Sequence, residues 1–243
     1  MQATELPSLE LQKEHWKYWN FRPEHPYSDD CLRPLRRGNM ILGYLRSLGL
    51  ERPTILDMGC GMGWFAARLA RFGPTTGIDL CEEAIARAKS KFPQVTLMAG
   101  NVLRMTLPEK HFDVVVSQEV IAHVPDQSGY VERAARVLKP GGYLILTTPN
   151  PLVHKRVSWA PIPPGHIEQW LSRRNLKRLL RPHFRVLRMT TAVPLGHRGF
   201  LRLVNSTKLN CLLEFLFSAK RVEAFKEWAG FGWTQIVLAQ KTS

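Results

Sequence analysis

A doubly wound, mostly parallel α/β sheet of seven strands is the fold class that this 243-residue sequence predicts. Three observations carry the prediction. Apolar runs of strand length alternate with helical patterns, the spacing expected when parallel strands are joined by crossover helices. Phe112-Asp113-Val114-Val115-Val116-Ser117 is almost continuously apolar, as a strand covered on both faces should be. Ile55-Leu56-Asp57-Met58 runs into Gly59-Cys60-Gly61-Met62-Gly63 and then Trp64-Phe65-Ala66-Ala67, which reads as strand, tight turn and helix. In an open sheet of this kind such a turn is where a nucleotide-like ligand is held.

In order along the chain, residues 9–20 read as a helix, and residues 35–48 as a second one stopped by Gly49. These two N-terminal cap helices, within residues 1–50, precede the first strand and are placed to cover its ligand crevice. After the glycine turn a helix over residues 64–72 ends at Gly73-Pro74, and Thr75–Asp79 is the second strand. Helix 82–91 opens with two acids and closes with lysines, each favourable to the helix dipole. Val95–Ala99 is the third strand and Phe112–Ser117 the fourth. Helix 128–138, a turn at Lys139–Gly142 and a fifth strand Tyr143–Thr147 follow. Five prolines between Pro149 and Gly165 predict a loop, Ser172 is placed to cap a helix reaching Leu180, and Phe184–Thr191 reads as a sixth strand. Residues 192–218 read as an insertion whose core, 200–217, has a helical pattern with a wide apolar face. Helix 219–229 and a last strand 233–240 return the chain to the sheet, so residues 51–191 and 219–243 make the main domain.

Composition narrows the class. A hydrophobic content of 44% builds a full core, so disorder is not expected. The four cysteines, Cys31, Cys60, Cys81 and Cys211, form no C-x-x-C pair and have no metal-ligand spacing, which favours reduced thiols in the cytoplasm. Residues 1–10 lack the apolar region of a signal peptide, and no stretch reaches the ~20 apolar residues of a membrane span. The net charge of +14 is confined to one half: residues 1–126 hold 15 basic and 15 acidic side chains, residues 127–243 hold 19 and 5. Between Gln169 and Leu213 there is no acid and there are ten basic residues, which points to an anionic partner or surface.

The chemistry starts from the acids. Asp79 closes the second strand, 22 residues beyond Asp57, where a carboxylate can accept hydrogen bonds from both hydroxyls of a ribose lying across the strand tips. With the G-x-G-x-G turn, this acid makes the chain resemble the class I S-adenosylmethionine-dependent methyltransferases, over about residues 50–150. The resemblance implies a Rossmann-like fold, S-adenosylmethionine as cofactor and S-adenosylhomocysteine as product. Asp57, Gly59, Cys60, Gly61 and Gly63 match the first family motif, whose glycines let the backbone approach the methionine part, and Asp79 the ribose clamp. Gly100-Asn101-Val102 stands where the family often has Gly-Asp-Ala, which implies that Asn101 accepts from the adenine amine and that Leu80 and Val102 enclose the ring. Gln118, directly after the fourth strand, is a further candidate for cofactor binding.

Gln118-Glu119-Val120-Ile121-Ala122-His123-Val124-Pro125-Asp126 resembles the E-V-L-E-H-V-P-D segment of the ubiquinone-biosynthesis O-methyltransferase group, in which two glutamates and a histidine serve a divalent metal or the substrate hydroxyl. Glu119 and His123 match and Ala122 replaces the second glutamate, so no metal is expected. On a helical turn Glu119 and His123 would share a face. His166, in the loop before the helix that follows the fifth strand, matches a family histidine suited to removing a hydroxyl proton, or to anchoring the loop. His15, His25 and His197 read as packing or surface residues.

The sequence therefore predicts methyl transfer to a small-molecule or lipid-like acceptor, with a hydroxyl oxygen favoured. Transfer to nitrogen or carbon, an RNA acceptor, and cofactor binding without transfer are the other readings. The insertion is either a lid over the substrate pocket or an interfacial helix on an anionic membrane, the latter suiting a lipid-like substrate. Nucleic acid ranks behind these, because Phe184 is the one aromatic residue between Ser172 and Gly199 that could stack on bases.

Overall fold

The computed structural model describes residues 6–22, 32–157, 165–196 and 198–242. His25, His197 and Pro161, Pro163 and Pro164 of the predicted loop lie outside them. Seven strands form one sheet: β1 Ile55–Met58, β2 Thr75–Asp79, β3 Thr96–Ala99, β4 Phe112–Gln118, β5 Leu138–Pro149, β6 Phe184–Pro194 and β7 Gly232–Lys241. Their order is β3-β2-β1-β4-β5-β7-β6, with β7 antiparallel to both neighbours and the other pairings parallel. Successive strands are added outward from β1 through β2 to β3 on one side and then through β4 to β5 on the other, so the crevice between β1 and β4 is the switch point where ligands bind in such sheets.

The helices are α1 Leu9–Phe21, α2 Leu32–Ser47, α3 Trp64–Leu69, α4 Glu82–Lys91, α5 Gln127–Val137, α6 Pro151–His154, α7 Arg173–Leu180, α8 Leu201–Val204, α9 Thr207–Phe217 and α10 Ala219–Ala229. Strand periodicity divides the core between the two faces. Leu56, Val115, Leu144, Leu146, Val237 and Ala239 meet Tyr130, Val131 and Ala134 of α5 and Leu176 and Leu180 of α7. Their sequence neighbours Ile55, Val114, Val116, Ile145 and Leu238 meet Ile41, Leu42 and Leu45 of α2 and Phe65 and Leu69 of α3. A smaller cluster of Cys60, Ala66, Ile85, Ala88, Val95 and Leu97 seats α3 and α4 at the β2–β3 end.

Four elements depart from the sequence prediction, the first being α6, a helical turn capped by Asn150 inside the loop expected after Pro149. The expected turn at Lys139–Gly142 is a bulge inside β5: Phe112 pairs with Leu138 and Val114 with Tyr143, so five residues advance against two, with Gly141 at φ +72°. The single helix expected over residues 200–217 is broken at Asn205-Ser206 into α8 and α9; Asn205 leaves helical geometry and its amide donates to the Gly196 carbonyl at 3.0 Å. β6 runs on to Pro194, and Ala192 within it is fully buried, so the sheet claims the first residues of the segment expected to be inserted. Ser172 caps α7 as expected, accepting the Asn175 amide at 3.2 Å.

Candidate active site

A cavity of about 1130 Å³ opens beyond the C-terminal ends of β1, β2, β4 and β5. The glycine turn forms its floor. Gly59, Gly61 and Gly63 all take positive φ, +85°, +52° and +74°. At Gly59 a Cβ would overlap the Val120 side chain, so only glycine fits both the backbone and the space. The turn satisfies its own amides. Gly59 and Cys60 donate to the Ile78 carbonyl at 2.7 and 3.0 Å, Gly63 donates to Cys60 at 3.0 Å, and Gly61 donates to Asp79 Oδ2 at 2.8 Å. The Cys60 thiol packs into the β2–β3 cluster, which leaves this residue's backbone as its contribution to the cavity wall.

Two carboxylates stand over that floor. Asp79 Oδ1 accepts the Cys81 amide at 2.9 Å, so each of its oxygens is fixed by one backbone N–H and keeps a lone pair for a further donor. Burial holds its pKa above the usual aspartate range against the opposing pull of those N–H groups. Asp57 is 1% exposed, and neither of its oxygens has a hydrogen-bond partner among the described residues. Burial first, and the Asp79 charge second, push its pKa to about 7. A buried carboxylate left unpaired beside a cavity is completed by donors from a ligand. Leu80, Asn101, Val102 and Gln118 line the same cavity; Asn101 Oδ1 accepts the Leu103 amide at 3.0 Å, which fixes the orientation of its side chain.

Opposite the carboxylates are the histidines. Glu119 and His123 do not share a helical face: Glu119 sits at φ +57° ahead of the 3₁₀ turn Ile121–His123. Glu119 Oε1 accepts from the Thr147 hydroxyl at 2.8 Å and lies 3.9 Å from Arg37, and burial raises its pKa. His123 turns instead to His166 and Ile167. Its Nδ1 is 2.8 Å from the Ile167 carbonyl and 3.0 Å from His166 Nε2. A carbonyl only accepts, so Nδ1 of His123 carries the proton. His166 Nε2, facing that same proton, is then the bare nitrogen of its ring, and its own proton is on Nδ1, 3.8 Å from Glu168. His123 Nε2 is left with a lone pair and no hydrogen-bond partner among the described residues. Burial lowers the pKa of His123 to about 4 and that of His166 to about 3, so both rings are neutral near pH 7. His15 is a packing residue, as its sequence context suggested: 5% exposed and stacked on His166 at 4.6 Å. No group of three or more His, Cys, Asp or Glu able to hold a metal converges among the described residues.

Trp16, Trp19, Trp170 and Trp233 give the cavity wall large aromatic faces. α1 brings the first two and is tied to the start of α4 by Lys13–Glu82 and Lys17–Glu83 pairs at 2.7 and 2.6 Å. These pairs are exposed and orient the helix more than they stabilise the fold. Sequence reasoning missed Arg37, which is 7% exposed and donates to Gln118 Oε1 at 3.3 Å. Its signal was present: Arg37 stands at helical spacing from Ile41 and Leu45, a cation on the buried stripe of α2. The four tryptophans left no such mark, since their positions converge only through the tertiary fold.

A family model described as a methyltransferase domain matches residues 56–146. Residues 56–146 thus carry a methyltransferase domain of the S-adenosylmethionine-dependent kind. A protein of Mycolicibacterium smegmatis named "Probable S-adenosylmethionine-dependent methyltransferase" is 34% identical over 116 residues, 47% of this chain and 45% of its own. The ubiquinone biosynthesis O-methyltransferase of Klebsiella pneumoniae is 35% identical over 156 residues, 60% of each chain. The chain thus spans about half to three fifths of the length of these curated relatives. The N-methyltransferase NodS of Bradyrhizobium japonicum, solved with S-adenosylhomocysteine, superposes with a TM-score of 0.67 over 96% of this chain and 98% of its own; at 16% identity this is a likeness of fold. Within the methyltransferase domain the match takes in Asp57, the glycine turn, Asp79, Asn101, Glu119 and His123. It ends before His166, Trp170, Trp233 and α8–α10.

Proposed function

We propose that the protein transfers a methyl group from S-adenosylmethionine to a hydroxyl oxygen of a small-molecule or lipid-like acceptor. The observation that carries the reading is the placement of the Asp57 carboxylate, without a partner among the described residues, and the bare His123 imidazole nitrogen on the walls of one cavity. The residues present fit the cofactor. Asp79 offers two fixed oxygens to a pair of ribose hydroxyls, Asp57 two unpaired oxygens to the cationic amino-acid end, and Leu80 and Val102 apolar surface to the base. Bound there, S-adenosylmethionine supplies a methyl group already activated on a sulfonium.

What remains for the chain is to place the acceptor and take its proton. His123 Nε2 accepts the hydroxyl hydrogen, and His166 with the Ile167 carbonyl fixes the tautomer that leaves that nitrogen bare. His166 thereby acts as a positioning residue. Burial keeps His123 neutral, so its lone pair is available throughout the neutral range. Trp16, Trp19, Trp170 and Trp233 exclude water and offer stacking faces to a flat or apolar acceptor. The relative named for O-methylation in ubiquinone biosynthesis supports oxygen as the acceptor atom.

The test is transfer of labelled methyl from S-adenosylmethionine to a bacterial lipid extract, a panel of soluble phenols and total RNA. Label recovered as methyl ether in the lipid or phenol fraction is expected. Label confined to RNA, or to amines, overturns the reading.

A further inference from the structure

We infer that α8, α9 and α10 form a docking surface for an anionic lipid bilayer. α9 buries none of its residues. Phe215 is 87% exposed, Leu216 60%, Leu212 58% and Phe217 54%, and on the neighbouring helices Leu203 is 69% and Trp228 68% exposed. α9 and α10 run antiparallel about Ser218, held by Lys226 Nζ donating to Asn210 Oδ1 at 2.6 Å. The pair therefore has its own attachment, and the exposed leucines and phenylalanines contribute nothing to the core. Apolar side chains displayed in this number on one short segment mark a surface that is covered in use.

Charge selects the cover. Arg202, Lys208, Lys220 and Arg221 are exposed around the same helices and outnumber the exposed acids there, Glu214 and Glu223, and the stretch leading into them carries no acid from residue 169 to 213. A second copy of the chain would satisfy the apolar residues and set these cations, on a molecule of net charge +14, against their own kind. RNA would satisfy the cations and leave the leucines in water. A bilayer with anionic headgroups satisfies both: the side chains of Leu212, Phe215 and Leu216 enter the acyl boundary while the cations stay among the phosphates. Among the described residues no helix is long and apolar enough to cross a membrane, so the contact lies in the interface plane.

The surface also adjoins the cavity. Phe200, at the start of α8, packs edge-on against Phe231 at 5.9 Å, two residues before Trp233 of the cavity wall. Delivery of a membrane-borne acceptor through that side rests on the function proposed above. The docking does not, and the experiment separates them.

The full chain is sedimented with vesicles of phosphatidylcholine, with and without a phosphatidylglycerol fraction, at low and high salt. Most of the protein is expected to pellet with anionic vesicles and little with neutral ones, the difference shrinking as salt rises. Leu212→Asp and Phe215→Ser, both on exposed positions, are each expected to lower the vesicle partition coefficient by about tenfold or more. S-adenosylhomocysteine affinity and melting temperature should be unchanged in both, showing that the fold is intact. Equal pelleting of parent and variants overturns the proposal, as does pelleting indifferent to anionic lipid. A dimer in solution that Leu212→Asp dissociates, with no vesicle binding, also overturns it and assigns the face to a second copy. Vesicle binding without methyl transfer to lipid would keep the surface and reject the acceptor.

Discussion

Asp57→Asn is expected to make the chain more stable at pH 8 and poorer at holding its cofactor. The carboxylate is buried without a partner among the described residues, and its pKa is pushed from 3.8 to about 7. A folded-state pKa above the unfolded value means that the native protein holds this proton more tightly than the unfolded chain does. Ionised Asp57 therefore costs stability above pH 7, and the cost vanishes as the pH falls toward 4. The shift alone corresponds to roughly 4 kcal/mol at pH 8. Asparagine removes the charge but leaves an amide donor to be satisfied, so a gain of about 2 kcal/mol is expected, fading by pH 5. Loss of the charged acceptor should weaken S-adenosylmethionine binding by roughly 1.5–3 kcal/mol, about 10- to 150-fold. Denaturant unfolding at the two pH values and a binding titration check both halves. A variant less stable than the parent at pH 8 would contradict the isolation of Asp57.

His123→Ala is expected to lower kcat by roughly a hundred- to a thousandfold while leaving S-adenosylhomocysteine affinity and acceptor KM close to the parent's. Added imidazole should restore part of the rate, which a merely structural role would not allow. His166→Asn should cost less, since it removes the neighbour that orients His123 and not the accepting nitrogen. The parent's pH profile gives an independent check. A base works unprotonated, so kcat/KM is lost as pH falls through the free-enzyme pKa. With His123 held near 4 by burial, the acid limb should lie below about pH 5 and not near the 6.5 of an ordinary histidine. An acid limb at 6.5 that disappears in His166→Asn would move the proton acceptor to His166.

The contrast between these two sites explains what the sequence could disclose. Asp57, the glycine turn and Asp79 are close in the chain and tied to strand ends, so an apolar run that stops at an acid already gives their position. The strands themselves were legible because burial on both faces leaves uninterrupted apolar runs; β2 and helix α4 have the bounds the sequence predicts. The partnership of His123 and His166 spans 43 residues and depends on how the chain after β5 folds back, which no local pattern encodes. Glu119 and His123 at helical spacing suggested a shared face, but a positive φ at Glu119 turns the carboxylate back toward Thr147. The break at Asn205 was hidden for the opposite reason: the segment around it packs little against the core, so apolar periodicity there does not report burial.

The ribose clamp proposed for Asp79 bears most directly on the whole account, because it decides which molecule the cavity is built for. Calorimetric titration of S-adenosylhomocysteine into the parent and into Asp79→Ala tests it. The variant should bind more weakly by about 1–3 kcal/mol, roughly 5- to 150-fold in Kd. Asp79→Asn, which keeps one accepting oxygen, should fall between them. Equal affinity in the parent and in Asp79→Ala would contradict the placement of the cofactor across the ends of β1 and β2.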